Sequence, residues 1–153
     1  MLTIALIKNI PLIRQGDELA DVLVKSLHDT SIQLQHGDIL VLAQKIVSKA
    51  EGRMVDLKTV TPSKKALELA KSTEKDSRVV ELILQESNEV LRTRPGAIIV
   101  EHKLGFICAN AGIDQSNVDG EDLVLLLPEN PDCSAEQLRQ RIEAVTKNHV
   151  GIL

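Results

Sequence analysis

The sequence predicts an α+β chain, a mixed sheet with several amphipathic helices. Three observations carry this expectation. Short branched apolar runs such as ILVLA at 39–43 are too brief for helices and read as core strands. Between them, apolar residues recur at helical spacing behind recognisable start signals. Of 153 residues, 43% are hydrophobic and 26% are charged, the balance of one soluble domain, 1–153, able to bury a core.

Taken in order, residues 2–7 (LTIALI) read as a buried strand, and the breaker-rich KNIPLIRQGDE that follows reads as a loop. Asp17 is a good N-cap for a helix carrying Leu19, Val22, Leu23 and Leu27 and ending near His28. Gly37-Asp38 then turns the chain into the strand at 39–43, which residues 44–53 (QKIVSKAEGR) leave with Lys45, Lys49 and Arg53. Thr61-Pro62 sets a capping hydroxyl before proline at the first helical position, with Ala66, Leu67, Leu69 and Ala70 behind it. A second helix is expected from about Ser77 to Leu91, broken by Arg94-Pro95-Gly96, so that two antiparallel helices share a short polar link. Residues 97–100 and 106–109 read as a hairpin around the turn at 102–105, and 123–127 as a strand. Ser134 and Gln137 make a capping box for a last helix whose apolar face holds Leu138, Ile142 and Val145. The closing run at 150–153 reads as the first residues of a core strand, which predicts truncation; a short terminal edge strand is the alternative.

Composition excludes several functions. With Lys+Arg 18 against Asp+Glu 22, the net charge of −4 offers no field for a nucleic-acid backbone or an anionic membrane. Phe106 is the sole aromatic, so bases have no stacking platform. Residues 1–13 are interrupted by Lys8, Asn9 and Pro11 and do not have the form of a secretory signal, and no apolar run is long enough to span a bilayer. Cys108 and Cys133 lack CxxC spacing, which fits a reducing cytoplasm.

Two polar segments leave the ends of predicted strands, where ligand loops tend to sit: SKAEGR at 48–53 and NAGIDQSN at 110–117. In the first, Lys45, Lys49 and Arg53 are four apart and would line one face of a helical turn or converge on polyphosphate; spacing alone equally gives a solvated cationic face. In the second, Asp114 is a lone carboxylate among Asn110, Gln115 and Asn117, with Gly112 allowing a tight backbone. Magnesium takes one or two such carboxylates and completes its shell with phosphate and water, while an Asn/Asp/Gly turn bonding to itself is the plainer alternative. Asp119, Glu121 and Asp122 could help hold a cation, with a turn carrying surface charges the plainer reading, and Cys108 with His102 lacks the third group a nucleophile–base pair needs. The four histidines have no metal spacing, and neither a P-loop nor a Rossmann glycine motif is present.

These two segments, together with IPLIRQGDELADVL, GDILVLAQKIVSKAEGR, the TPS helix start, ESNEVLR, GFICANAGIDQSNV and PENPDCSAEQLRQRI, resemble the coenzyme F420-0:L-glutamate ligase (gamma-glutamyl ligase) family in one register. The resemblance implies that family's fold and a GTP-dependent ligase that adds L-glutamate to the F420 precursor, F420-0. It further implies Mg²⁺ or Mn²⁺, with K⁺ as a helper, and a homodimer. The implied chemistry is phosphoryl transfer from GTP to a substrate carboxylate, then attack of the glutamate amine on the acyl phosphate to give an amide.

Carried over by position, the family's first nucleotide-contacting loop falls on Ile10, Pro11, Leu12 and Ile13, and a second contact falls on Gln44, where some relatives are expected to carry a small hydroxyl residue. The phosphate-side lysine falls on Lys49, the metal carboxylate on Asp114 and a further nucleotide contact on Asn117. Beyond a strand like 150–153 the family places an Asp-Thr metal-binding pair in a D-T-x-G-R-type motif, so the resemblance implies an N-terminal part that does not complete the reaction alone. Two other functions stay open: a non-catalytic nucleotide- or metal-binding module, and a ligase of the same fold acting on another acid.

Overall fold

A computed structural model describes residues 1–115 and 122–153. The elements in chain order are α1 (Leu19–Asp29), β1 (Ile39–Leu40), α2 (Gln44–Ala50), β2 (Met54–Asp56), α3 (Lys64–Thr73), α4 (Ser77–Gln85), β3 (Ser87–Arg94), β4 (Ala97–His102), β5 (Ile107–Ala109), β6 (Leu123–Leu125), α5 (Pro131–Thr146) and β7 (Gly151–Ile152). The α+β composition is as expected, but the described strands divide into three small sheets, one parallel and two antiparallel. They form two compact units, Met1–Arg53 with Pro128–Leu153, and Met54–Leu127. No helix among the described residues is long and apolar enough to cross a membrane.

In the first unit, α1 and α5 enclose a core of Ala20, Leu23, Leu40, Leu138, Ile142 and Val150. β1 and β7 pair in parallel, Ile39 opposite Gly151 and Leu40 opposite Ile152. α1 starts one residue later than expected because Asp17 is otherwise engaged: its carboxylate accepts the Arg14 N–H at 2.7 Å and closes the preceding turn. α5 starts four residues earlier than its Ser134 box predicts. There, Asn130 accepts the Cys133 N–H at 3.0 Å and Pro131 takes the first helical position, where its missing N–H costs nothing. Residues 2–7 form no strand: Leu2, Ile4 and Leu6 are 86%, 87% and 75% exposed, and none of the described strands pairs with them. An apolar run becomes a strand only where a neighbour takes its backbone donors and acceptors.

In the second unit, α3 and α4 pack together through the expected short polar link. The cap of α3 is Ser63, whose Oγ accepts the Ala66 N–H, rather than Thr61. The second helix stops at Gln85, six residues short of the expected Leu91, and ESNEVLR becomes most of β3. β3 pairs with β4 around a two-residue Pro95-Gly96 turn, with register shifts between Ser87 and Glu89 and between Val90 and Arg92. The predicted β4–β5 hairpin is present, Ile99 opposite Ala109 and Val100 opposite Cys108. β2 pairs with β6, and Val80, Ile83, Ile98, Val100 and Val124 are wholly buried in the core between helices and strands.

Candidate functional site

The first unit holds six of the expected contact residues. Ile10 is half-buried against the core and Ile13 is buried, while Pro11 and Leu12 between them are exposed. Two branched side chains therefore seat the loop and two apolar ones are displayed. Asn9, just ahead, has a left-handed φ of 62°, an uncommon conformation for a residue with a Cβ that asparagine tolerates better than most. The following turn is tied to the end of α2 by the Gly16 N–H, which donates to the Ala50 carbonyl at 2.9 Å.

α2 shows what SKAEGR is physically. The helix ends in a Schellman cap: the Gly52 N–H donates to the Lys49 carbonyl (3.0 Å) and the Arg53 N–H to the Ser48 carbonyl (2.9 Å). Gly52 has φ +73°, and the amide of Gln15 occupies the place a Cβ would take, 2.4 Å from that point. Ser48 is fully buried and its Oγ accepts the Gln44 side-chain N–H at 2.9 Å, which fixes the Gln44 amide on the helix. Glu51 accepts the Ser134 hydroxyl from α5. Lys45 and Lys49 lie one turn apart, but Arg53 is past the left-handed Gly52 and extends no helical face; its guanidinium is 4.0 Å from Glu129. The face of three cations expected from spacing is thus two lysines on the helix and one arginine beyond its cap.

The second unit holds Asp114. Its backbone exchanges two bonds with Leu125, N–H to carbonyl at 2.9 Å and carbonyl to N–H at 2.8 Å. Ahead of it, Asn110, Ala111 and Gly112 all have positive φ, 52°, 52° and 67°. Asn110 Oδ1 accepts the Ile98 N–H at 3.0 Å, Ala111 is buried, and a Cβ on Gly112 would stand 2.7 Å from Leu127 Cδ1. This strained turn presents a partly buried carboxylate on a fixed backbone. Asn117 lies outside the described residues, as do Asp119 and Glu121.

Among the described residues no group of three His, Cys, Asp or Glu side chains forms a metal cage. A single held carboxylate fits a magnesium-type ion that takes most of its shell from phosphate and water, and does not fit a site closed by protein alone. Asp122 is engaged by Arg78 at 3.0 Å and Lys58 at 3.4 Å. Cys108 and His102 form no nucleophilic pair. Burial pushes the Cys108 thiol up, away from the thiolate form, and His102 is buried, stacked on Phe106 with Nδ1 accepting the Leu104 N–H.

Sequence reasoning missed Gln15, Ser48 and the strained turn at 110–112. The Gly two residues past Ala50 was a readable cap signal, whereas nothing local announces a left-handed alanine.

A profile of the F420-0:Gamma-glutamyl ligase family matches residues 8–153. The chain is 41% identical over 147 residues to the "Coenzyme F420:L-glutamate ligase" of Methanothermobacter thermautotrophicus, covering 96% of this chain and 58% of that protein. It is 43% identical over 141 residues to the protein of that name from Methanopyrus kandleri (92% and 54%). To that from Methanocaldococcus jannaschii it is 45% identical over 120 residues (78% and 47%). The chain thus spans about half the length of the curated relatives it matches.

Proposed function

Because the chain belongs to the F420-0:gamma-glutamyl ligase family, we propose that it serves the GTP-dependent addition of L-glutamate to F420-0. Its part in that reaction is to bind nucleotide and metal. The observation that supports the nucleotide part is the Gly16–Ala50 hydrogen bond, which ties the loop displaying Pro11 and Leu12 to the helix carrying Gln44 and Lys49 within the first unit.

In the proposed reaction a carboxylate oxygen of the precursor attacks the γ-phosphorus of GTP and GDP leaves. The glutamate amine then attacks the acyl phosphate carbon, phosphate leaves and an amide forms. Pro11 and Leu12 give the nucleotide an apolar surface, with Ile10 and Ile13 holding the loop. Lys49 supplies a positive charge to phosphate, and Gln44, oriented by Ser48, keeps an amide oxygen and a second N–H for a nucleotide oxygen or donor. Asp114 holds the divalent ion, Mg²⁺ or Mn²⁺, in the second unit, and Asn117 is a further nucleotide contact. When bound, that ion neutralises charge on the phosphates. K⁺ as a helper and assembly as a homodimer complete the proposal.

Calorimetric titration of GTP with Mn²⁺ into the chain tests it. Lys49→Ala and Asp114→Asn should each weaken binding at unchanged thermal stability. Equal affinity in wild type and both variants would overturn the assignment. Mass spectrometry of F420-0 incubated with GTP, L-glutamate and the chain reads whether a glutamyl residue is added.

A further inference from the structure

We propose that Arg78 is a positioning residue for Asp114, acting through the ion pair that fixes the start of β6. The role deepens the metal-side function proposed for Asp114 and rests on it.

Arg78 sits in the first turn of α4, whose Val79, Val80 and Ile83 are buried in the core, so the side chain projects from a fixed base. Its Nε and Nη2 grip the Asp76 carboxylate at 3.1 Å and 2.6 Å, which sets the plane of the guanidinium. Nη1 is thereby aimed at Asp122 Oδ1, 3.0 Å away, while Lys58 Nζ stands 3.4 Å from Asp122 Oδ2. The Asp122 carbonyl also accepts the Leu57 N–H at 2.7 Å. Asp122 is therefore held at both carboxylate oxygens and at its backbone.

The next residue, Leu123, begins β6, and two residues further Leu125 makes the double bond exchange with Asp114. That bridge lies outside the named strands. β6 is laddered to β2 over Leu123–Leu125, and the Arg78–Asp122 pair carries that hold one residue further, so loosening the pair frays the strand that Asp114 meets. An isolated exposed ion pair contributes little, but here a planar fork with one carboxylate as its brace locks another carboxylate in direction as well as distance. The charge pattern DGED gives no hint of this use, since Arg78 is remote in sequence.

Amide hydrogen exchange followed by NMR decides the matter on the chain itself. Arg78→Met should lower protection at the Asp114 and Leu125 amides about tenfold, the scale of one charge-assisted hydrogen bond, and leave the Leu138 and Ile142 amides of the other unit unchanged. Arg78→Lys, which keeps the charge without the fork, should restore part of it. If Arg78→Met does not fold, Asp122→Ala replaces it, because it removes the same pair and leaves the Asp76 cap in place. Unchanged protection at Asp114 in a folded variant overturns the proposal. In a second arm, Mn²⁺ is titrated in the presence of GTP. Arg78→Met should weaken Mn²⁺ binding in the wild-type background and add nothing to Asp114→Asn; additive losses would overturn the coupling. Absence of Mn²⁺ binding by the wild type would defeat the proposed function instead, and the exchange data would still decide whether Arg78 sets Asp114.

Discussion

Replacing Gly112 by alanine should be the most damaging single methyl that can be added near Asp114. The new Cβ would lie 2.7, 3.0 and 3.2 Å from Leu127 Cδ1, Cγ and Cδ2, too close for atoms on both sides to stay where they are. Overfilling a packed site in this way costs about 1–3 kcal/mol. The φ of +67° adds the left-handed penalty, about 1–2 kcal/mol, and the stiffer unfolded chain returns about 0.4–1 kcal/mol. The net expectation is a loss of about 3 kcal/mol. Gly96→Ala is the matched control, because Gly96 also has positive φ, +80°, but nothing stands within 4 Å of its Cβ position. That variant should lose only about 0.5–1 kcal/mol. The chain has no Trp or Tyr, so urea unfolding is followed by far-UV circular dichroism. Adding Leu127→Ala to Gly112→Ala should recover part of the difference by opening the space. Equal losses in the two glycine variants, or no recovery, would show that the turn before Asp114 is not seated on Leu127.

Three further outcomes are expected. Lys49→Ala should weaken GTP binding about tenfold, measured by titration at low salt and shrinking as salt is raised, the behaviour of a phosphate-directed charge. Glu143 is held below the ordinary carboxylate value of 4.5, first by the Val150 N–H and then by Arg139 and His149, so its contribution is present above that value and is lost as pH falls through the lowered one. Glu143→Gln should flatten that part of the acid limb in a plot of thermal midpoint against pH; an unchanged limb would show that the Glu143 carboxylate gains nothing from the Val150 N–H it accepts at 3.0 Å. Finally, Cys133 is exposed and Cys108 is half-buried with a raised thiol, so iodoacetamide at mildly alkaline pH should label Cys133 first, read by peptide mass spectrometry.

What could be foreseen in the sequence was set by how local its cause is. α1, α3 and α5 were visible because helical spacing and capping groups act within a few residues, and the misplaced starts at Asp17, Thr61 and Ser134 came from several candidate caps competing at each start. β3 was hidden because Val90 and Leu91 continue the apolar pattern of α4, and only pairing with β4 across Pro95-Gly96 makes the segment a strand. Residues 2–7 show the reverse, strand-forming side chains without a described partner strand. At the candidate site, SKAEGR and NAGID stood out as polar islands and the resemblance attached functions to Lys49 and Asp114. The Schellman cap, the Ser48–Gln44 bond and the left-handed Ala111 depend on three-dimensional neighbours that spacing does not encode.

The pairing of β1 with β7 joins residues 39–40 to 151–152, and the core of the first unit draws on both ends of the chain, while the second unit is one uninterrupted stretch. During synthesis the stretch Met54–Leu127 can close its own contacts as soon as it is clear of the ribosome. The earlier residues must wait, with Leu23 and Leu40 lacking Leu138, Ile142 and Val150, for a few seconds more of elongation at about 5–20 residues per second. Non-local closure is the slow step in folding, so Met54–Leu127 closes before the two segments that flank it come together. Along that route SKAEGR leaves the ribosome early, and the α5 hydroxyl that meets Glu51 follows only after the whole of the second unit.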